Sequence, residues 1–122
     1  MKRILVIEDT EDNRQIVGDL LSNAGYEVIE AVDGLAGVAT AEREMPDLIL
    51  MDIQLPGIDG YEATRRIRAI STLTRVPIIA VTSYALSGDE AKTREAGCDG
   101  YVAKPYSPRQ LLAKIREYLP EA

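Results

Sequence analysis

The sequence contains no histidine, no tryptophan and no phenylalanine, and it has a single cysteine. Without histidine, a His-ligated metal site, a Ser-His triad and histidine general-base catalysis are excluded. Cys98 has no partner for an internal disulfide, which fits a reducing cytoplasm. It reads as a small buried hydrophobe. No apolar run approaches the roughly 20 residues that cross a membrane. Ile4-Leu5-Val6-Ile7, behind Met1-Lys2-Arg3, is too short for a signal-peptide core and lacks a small-residue cleavage site. Positive charge is also scarce. The 14 Lys and Arg against 20 Asp and Glu leave a net charge of −6, which argues against nonspecific binding to nucleic acid. The densest basic stretch, Arg65-Arg66-Ile67-Arg68, reads as a solvated helix face near a helix C-terminus.

What is present suits one domain over residues 1–122. At 46% apolar and 28% charged residues, the chain can bury an ordinary core without staples. No linker, repeat or low-complexity stretch interrupts it.

The chain is organised around Leu48-Ile49-Leu50-Met51-Asp52-Ile53-Gln54-Leu55-Pro56-Gly57. A continuous apolar run ends in one carboxylate, and a Pro-Gly breaker follows. Such a run reads as a strand buried on both faces. Asp52 then sits at the carboxyl end of the strand, the edge of a parallel sheet where ligands collect.

The remaining elements fall in alternation. Arg3 to Glu8 is a first strand. Glu11 to Ala24 carries Ile16, Val17, Leu20, Leu21 and Ala24 at helical spacing, and Gly25 stops it. Tyr26 to Ala31 is a second strand, closed by an Asp33-Gly34 turn. Leu35, Val38, Ala39 and Glu42 continue as a helix ended by Pro46, and Asp47 to Asp52 is the central strand. Asp59-Gly60-Tyr61-Glu62 has capping-box spacing, with Ala63, Ile67 and Ile70 as the buried stripe of a third helix. Pro77 to Thr82 is a fourth strand. Ser87-Gly88-Asp89-Glu90 opens a fourth helix, sparse in large apolar groups beyond Leu86 and therefore weakly anchored, which Gly97 ends. Gly100 to Ala103 is a fifth strand. Ser107-Pro108-Arg109-Gln110 caps a fifth helix that buries Leu111, Leu112, Ile115 and Leu119. Five strands alternating with five helices imply a three-layer α/β sandwich on a parallel sheet. Right-handed crossovers leave few strand orders. The order 2-1-3-4-5 puts the ends of strands one and three side by side at the switch point.

Polar groups meet at that edge: Glu8 and Asp9, Asp52, Thr82, and Lys104 just past strand five. Three carboxylates in one crevice resist joint ionisation, and a divalent cation removes that cost. An all-oxygen donor set suggests Mg²⁺. Lys104 offers a point positive charge for an anion and Thr82 a hydroxyl donor. Together they read as a phosphoryl site with Asp52 as candidate nucleophile. The bland alternative is that Lys104 merely neutralises Asp52 in a structural ion pair. Two rival chemistries fail on particular residues. An FMN-phosphate loop would not be built from Glu8-Asp9-Thr10-Glu11-Asp12, which repels phosphate. A dehalogenase-type phosphatase wants a second aspartate where Gln54 stands, and its pair ends the first strand, not the third.

Glu8-Asp9, Met51-Asp52-Ile53-Gln54-Leu55-Pro56, Ala80-Val81-Thr82 and Tyr101-Val102-Ala103-Lys104-Pro105 match, in order and spacing, the receiver domains of two-component response regulators. The resemblance runs from Lys2 to about Leu119. It is strongest to stand-alone cell-division regulators, notably across Gly88-Asp89-Glu90 and Arg94-Glu95-Ala96-Gly97-Cys98. It implies a flavodoxin-like, CheY-like sandwich. Asp52 would accept a phosphoryl group from a sensor histidine kinase or a histidine phosphotransfer protein. Asp9, Asp52 and the Gln54 backbone carbonyl would bind Mg²⁺, with Glu8 acting through water. Lys104 would pair with the phosphoryl oxygens, Thr82 would move to bond them, and Tyr101 would turn into the space vacated. It also implies a cis Lys104-Pro105 bond. Thr10 departs from the Asn or Asp of many relatives, with little consequence for Mg²⁺. Gln54 and Tyr84 flank the site where the family varies its hydrolysis rate.

The resulting expectation is a cytoplasmic single-domain regulator, monomeric or weakly dimeric, that signals to a downstream protein through its fourth helix, fifth strand and fifth helix. Tyr84 and Tyr106 are candidate contacts on that face. It would be a switch, not a turnover enzyme, catalysing only the gain and loss of its own phosphoryl group. A phosphorelay shuttle or sink, a receiver excised from a longer regulator, and a pseudo-receiver that binds partners without phosphorylation remain alternatives.

Overall fold

The computed structural model describes residues 1–83 and 89–119. Five strands alternate with five helices: β1 (Arg3–Ile7), α1 (Glu11–Asn23), β2 (Glu27–Ala31), α2 (Gly34–Glu44), β3 (Leu48–Asp52), α3 (Gly60–Arg68), β4 (Ile78–Thr82), α4 (Asp89–Ala96), β5 (Gly100–Ala103) and α5 (Pro108–Tyr118). A short 3-10 turn, Ser71–Leu73, precedes β4. All pairings are parallel, in the order β2-β1-β3-β4-β5. The α/β architecture and the strand order are those anticipated.

The two sheet faces carry separate cores. One packs Leu5, Ile7, Ile49, Met51, Ile78 and Ala80 against Ala41, Ala63, Ile67 and Cys98. The other packs Ile4, Val6, Leu48, Leu50, Ile79 and Val102 against Val17 and Leu21 of α1, Leu111 and Ile115 of α5, and Leu119 just past its end. Every residue of β3 and β4 is buried, as strands covered on both faces must be. The positions alternate between the two cores because successive side chains point to opposite faces.

Helix ends and faces differ from the sequence reading in instructive ways. Ser107 and Gln110 close a full capping box at α5, with Pro108 in its first turn. Asp59 caps α3 by accepting from the Glu62 N–H, but the Glu62 carboxylate bonds Arg66 and Arg65 instead of reaching back. Charge-assisted partners three and four residues on outcompete the neutral backbone donor. Asp33 and Gly34 do not form a free turn: the Asp33 carboxylate caps α2 by accepting from the Ala36 N–H. That helix also turns a different face to the sheet than its larger residues suggest. Leu35 is 57% exposed, while Gly34, Gly37, Thr40 and Ala41 are buried. The approach is that close at Gly37, where a Cβ would come within 2.9 Å of Ile7 Cγ1. The helix stops at Glu44, two residues before the predicted breaker, Pro46. Met45 ends it in a left-handed conformation at φ 48°, its N–H donating to the Ala41 carbonyl, as helix C-caps commonly do. In α1, Ile16 stands 65% exposed, outside the buried stripe.

Arg68 also departs from its solvated reading. Its guanidinium donates to the carbonyls of Leu73, Val76 and Gly97 and to Asp99 Oδ2, at 2.7–3.1 Å. The same Asp99 oxygen accepts from the Ile78 N–H at 2.9 Å. The last turn of α3 is thereby tied to the starts of β4 and β5. Gly97, at φ 112°, ends α4 in a backbone region that side chains disfavour. The Ser87-Gly88 start of α4, Leu86 and Tyr84 lie outside the described residues.

Candidate functional site

Ile7 pairs with Met51 and Asp52 with Val81, so β1, β3 and β4 end at neighbouring positions on the carboxyl edge of the sheet. The next residue after β1 is Glu8, and the last of β3 is Asp52. Parallel register alone therefore brings two carboxylates together from sites 44 residues apart in the chain. Asp9 completes a group in which carboxylate oxygens of Glu8, Asp9 and Asp52 all lie within 4.8 Å of one another. Glu8 and Asp52 are buried, and Asp9 is exposed.

Each buried acid is held from two sides. Asp52 Oδ1 accepts from the Gln54 N–H at 2.9 Å, and its Oδ2 lies 3.4 Å from Lys104 Nζ. Glu8 Oε2 accepts from the Thr10 N–H at 3.0 Å, and its Oε1 is also 3.4 Å from Lys104 Nζ. Burial lowers the Lys104 pKa, but the carboxylates of Asp52 and Glu8 outweigh it and hold the ammonium above the ordinary lysine value. One ammonium thus bridges two carboxylates, with that of Asp9 beside them. The Lys104 N–H in turn donates to the Thr82 carbonyl at 2.7 Å, which sets where β5 hands its chain over to the site. The Lys104-Pro105 peptide is cis.

Thr82 ends β4 fully buried. The alternation of β4 puts it on the face of Ile78 and Ala80. Tyr101, which pairs with Ala80, packs half-buried against that same core. Asp52 falls on the opposite parity, with Leu48 and Leu50. The Gln54 side chain spans two loops: its Oε1 accepts from the Ser83 N–H at 3.3 Å.

Tyr106 stands between the acid site and the surface. It is half-buried against the α1 and α5 core and lines a cavity of about 20 Å³ beneath Glu8 and Asp52. Burial above all raises its pKa. Its other side borders an open groove, together with Asn13, Ile16, Val17, Lys104 and Pro105. Tyr84 lies outside the described residues. One participant was not legible beforehand. Arg14 of α1 donates to the carbonyl of Glu8 at 3.0 Å, and that contact is visible only once α1 packs beside β1.

The donor set fits a hard divalent cation: all oxygen, two or three carboxylates, and open to solvent on the Asp9 side. A buried acid at a strand end, an acid cluster of a size that fits a cation and an adjacent ammonium are the arrangement that a phosphoacceptor signalling domain requires. The chain belongs to the response regulator receiver domain family, whose model matches residues 4–116. It is a receiver-domain signalling regulator similar to DivK. The identity is 40% over 121 residues with the polar-differentiation response regulator DivK of Brucella anthropi, covering 99% of this chain and 98% of the relative. DivK of Brucella abortus matches at the same identity and coverage. Among solved structures, the receiver domain of a sensor histidine kinase from Pseudomonas aeruginosa, with a magnesium ion coordinated in its active-site cleft, is 41% identical. It superposes with a TM-score of 0.91 over 98% of both chains. The chemotaxis protein CheY4 of Vibrio cholerae is 30% identical with a TM-score of 0.92, over 97% of this chain and 98% of that one. No helix among the described residues is long and apolar enough to cross a membrane.

Proposed function

We propose that this chain is a phosphorylation switch: Asp52 accepts a phosphoryl group in a Mg²⁺-dependent reaction, and the charge so gained shifts a protein-binding surface. One observation carries the reading. Asp52 is a 5% exposed carboxylate whose oxygen lies 3.4 Å from Lys104 Nζ, beside the Glu8 and Asp9 carboxylates. Glu8, Asp9, Asp52 and the Gln54 backbone carbonyl would hold the cation. When bound, it supplies the positive charge that lets a phosphoryl group approach an acidic pocket.

The rest is work for the chain's own residues. The Gln54 N–H fixes the Asp52 carboxylate, so an oxygen is presented without reorganisation. Phosphoryl transfer from a phosphohistidine breaks the phosphorus–nitrogen bond as Asp52 oxygen bonds phosphorus. The departing imidazole keeps the bonding pair and takes up a proton. Lys104 then exchanges its carboxylate partner for phosphoryl oxygens, and Thr82 offers its hydroxyl. Because Thr82 shares a sheet face with Tyr101, movement of one opens or fills space for the other. The shift reaches α4, β5 and α5 as a change in the population of existing states. The donors are a sensor histidine kinase or a histidine phosphotransfer protein of the cytoplasm, and the receiver of the signal is a downstream protein. The chain acts as a switch, not a turnover enzyme.

A second reading is favoured by the 41% identity with a receiver domain of a sensor kinase: a relay step, in which Asp52 passes its phosphoryl group to another histidine protein. The test is labelling from acetyl phosphate and from a phosphorylated histidine kinase, with and without Mg²⁺, beside Asp52→Asn. Mg²⁺-dependent, alkali-labile label absent from Asp52→Asn is the expected result. Equal labelling of the variant means another acceptor, and no labelling from either donor leaves a pseudo-receiver. Rapid return of the label to a phosphotransfer protein would identify the relay.

A further inference from the structure

The three acids of the site are not held alike. Glu8 and Asp52 each have a backbone N–H and the Lys104 ammonium on their carboxylates. Asp9 is exposed, and among the described residues its carboxylate has no hydrogen bond or ion pair. With no side-chain partner among those residues, Asp9 is placed only by the backbone that carries it. That backbone is gripped by one side chain. Arg14 Nη1 donates to the Glu8 carbonyl at 3.0 Å and reaches the Asp9 carbonyl at 3.5 Å. Its Nε donates to Glu30 Oε1 on β2 at 3.1 Å. The Arg14 side chain is only 14% exposed, and its own N–H donates to the Thr10 carbonyl at 2.9 Å.

We propose that Arg14 is a positioning residue of the Mg²⁺ site: its guanidinium locks the Glu8 and Asp9 peptide units against β2, so that the acids converge before the cation arrives. This rests on the Mg²⁺ reading given above. The fork geometry is the point, since a guanidinium presents several donors in a fixed plane and an ammonium cannot. Glu30 neutralises the charge, so the clamp does not repel the cation it serves.

The sign of one substitution separates positioning from simple charge. If Arg14 were only a nearby positive charge, Arg14→Leu would tighten Mg²⁺ binding. As a clamp, its removal loosens binding, by about tenfold, the order lost when outer partners of metal ligands are removed. The measurement is calorimetric titration with MgCl₂ alone of the wild type, Arg14→Leu, Arg14→Lys and Glu30→Gln. A thermal melt in EDTA confirms that each is folded. Arg14→Lys keeps the charge and is expected to bind several-fold more weakly than wild type. Uptake from acetyl phosphate should lose more in half-saturating Mg²⁺ than in maximal rate. Should Arg14→Leu fail to fold, the lysine variant decides. Mg²⁺ affinity unchanged or improved in Arg14→Leu or Arg14→Lys overturns the clamp while leaving the phosphoacceptor reading intact. A wild type that binds no Mg²⁺ and takes up no phosphoryl group removes both.

Discussion

Replacing Lys104 with methionine keeps the length of the side chain and removes its charge. In the native protein Nζ lies 3.4 Å from both Glu8 Oε1 and Asp52 Oδ2. At an effective dielectric of about 20, each contact carries about 5 kcal/mol of attraction. Most of that repays the removal of the ions from water. The measurable quantity is the cost of leaving two buried carboxylates without their counter-charge, which is about 3–5 kcal/mol for a buried pair. Lys104 retains 25% of its side-chain exposure, and 3.4 Å is a loose contact, so the low end applies: about 3 kcal/mol. With an m-value of about 1.5 kcal/mol/M in urea, the midpoint in EDTA should fall by about 2 M. Mg²⁺ should then restore much of the loss. At a hundred times its Kd, a cation that binds only the folded state adds about 2.7 kcal/mol, and in Lys104→Met it no longer competes with an ammonium. Urea unfolding followed by circular dichroism, in EDTA and in saturating MgCl₂, reads both effects. Equal midpoints for variant and wild type in EDTA, or equal Mg²⁺ stabilisation of the two, would refute the account of Lys104 as the charge that holds the acid pocket together.

Two further expectations rest on other parts of the molecule. Gly60→Ala would place a methyl against the Asp52 carbonyl, 2.6 Å from Ile53 Cα and 2.9 Å from Ile53 Cδ1, so the strand end that carries Asp52 has to shift. Overpacking of this kind costs about 1–3 kcal/mol or more, and phosphoryl uptake should fall with stability; wild-type values of both would show the contact to be easily relieved. Cys98 is 7% exposed, and burial, in the main, pushes its thiol pKa up, only partly offset by Thr64 at 3.6 Å. Its reaction with a disulfide reagent at neutral pH should be about a hundredfold slower or more in the native protein than in urea, because it needs local opening. Fast native labelling would place the thiol at the surface.

Much of the fold was legible because its signals are local. An uninterrupted apolar run closed by Asp52 and a Pro-Gly pair marks a strand buried on both faces, and β3 is buried throughout. Ser107, Pro108 and Gln110 lie within one turn of each other, and the capping box they announce forms as written. Where a local signal had a competitor, the competitor decided. Glu62 stands at capping-box spacing from Asp59, yet Arg65 and Arg66 take its carboxylate. Leu35 and Ile16 follow helical spacing, yet both remain in solvent, because small residues on α2 and the Val17–Leu21 side of α1 set how closely each helix approaches the sheet.

The acids, the threonine and the lysine were identifiable as strand-end residues, and that they share one edge follows from a parallel sheet in which every strand leaves on the same side. What the sequence by itself determined is therefore the list of elements and the chemistry available at their ends. Only the tertiary structure decided how that chemistry is held: Lys104 equidistant from Glu8 and Asp52, Tyr106 walling a cavity under them, Arg14 gripping the carbonyls of the acid loop, Arg68 joining three chain segments through their carbonyls. The physical reason is the same in each case. These contacts run from side chains to backbone groups or charges distant in the chain, so they leave no periodicity to read and exist only after the sheet has closed.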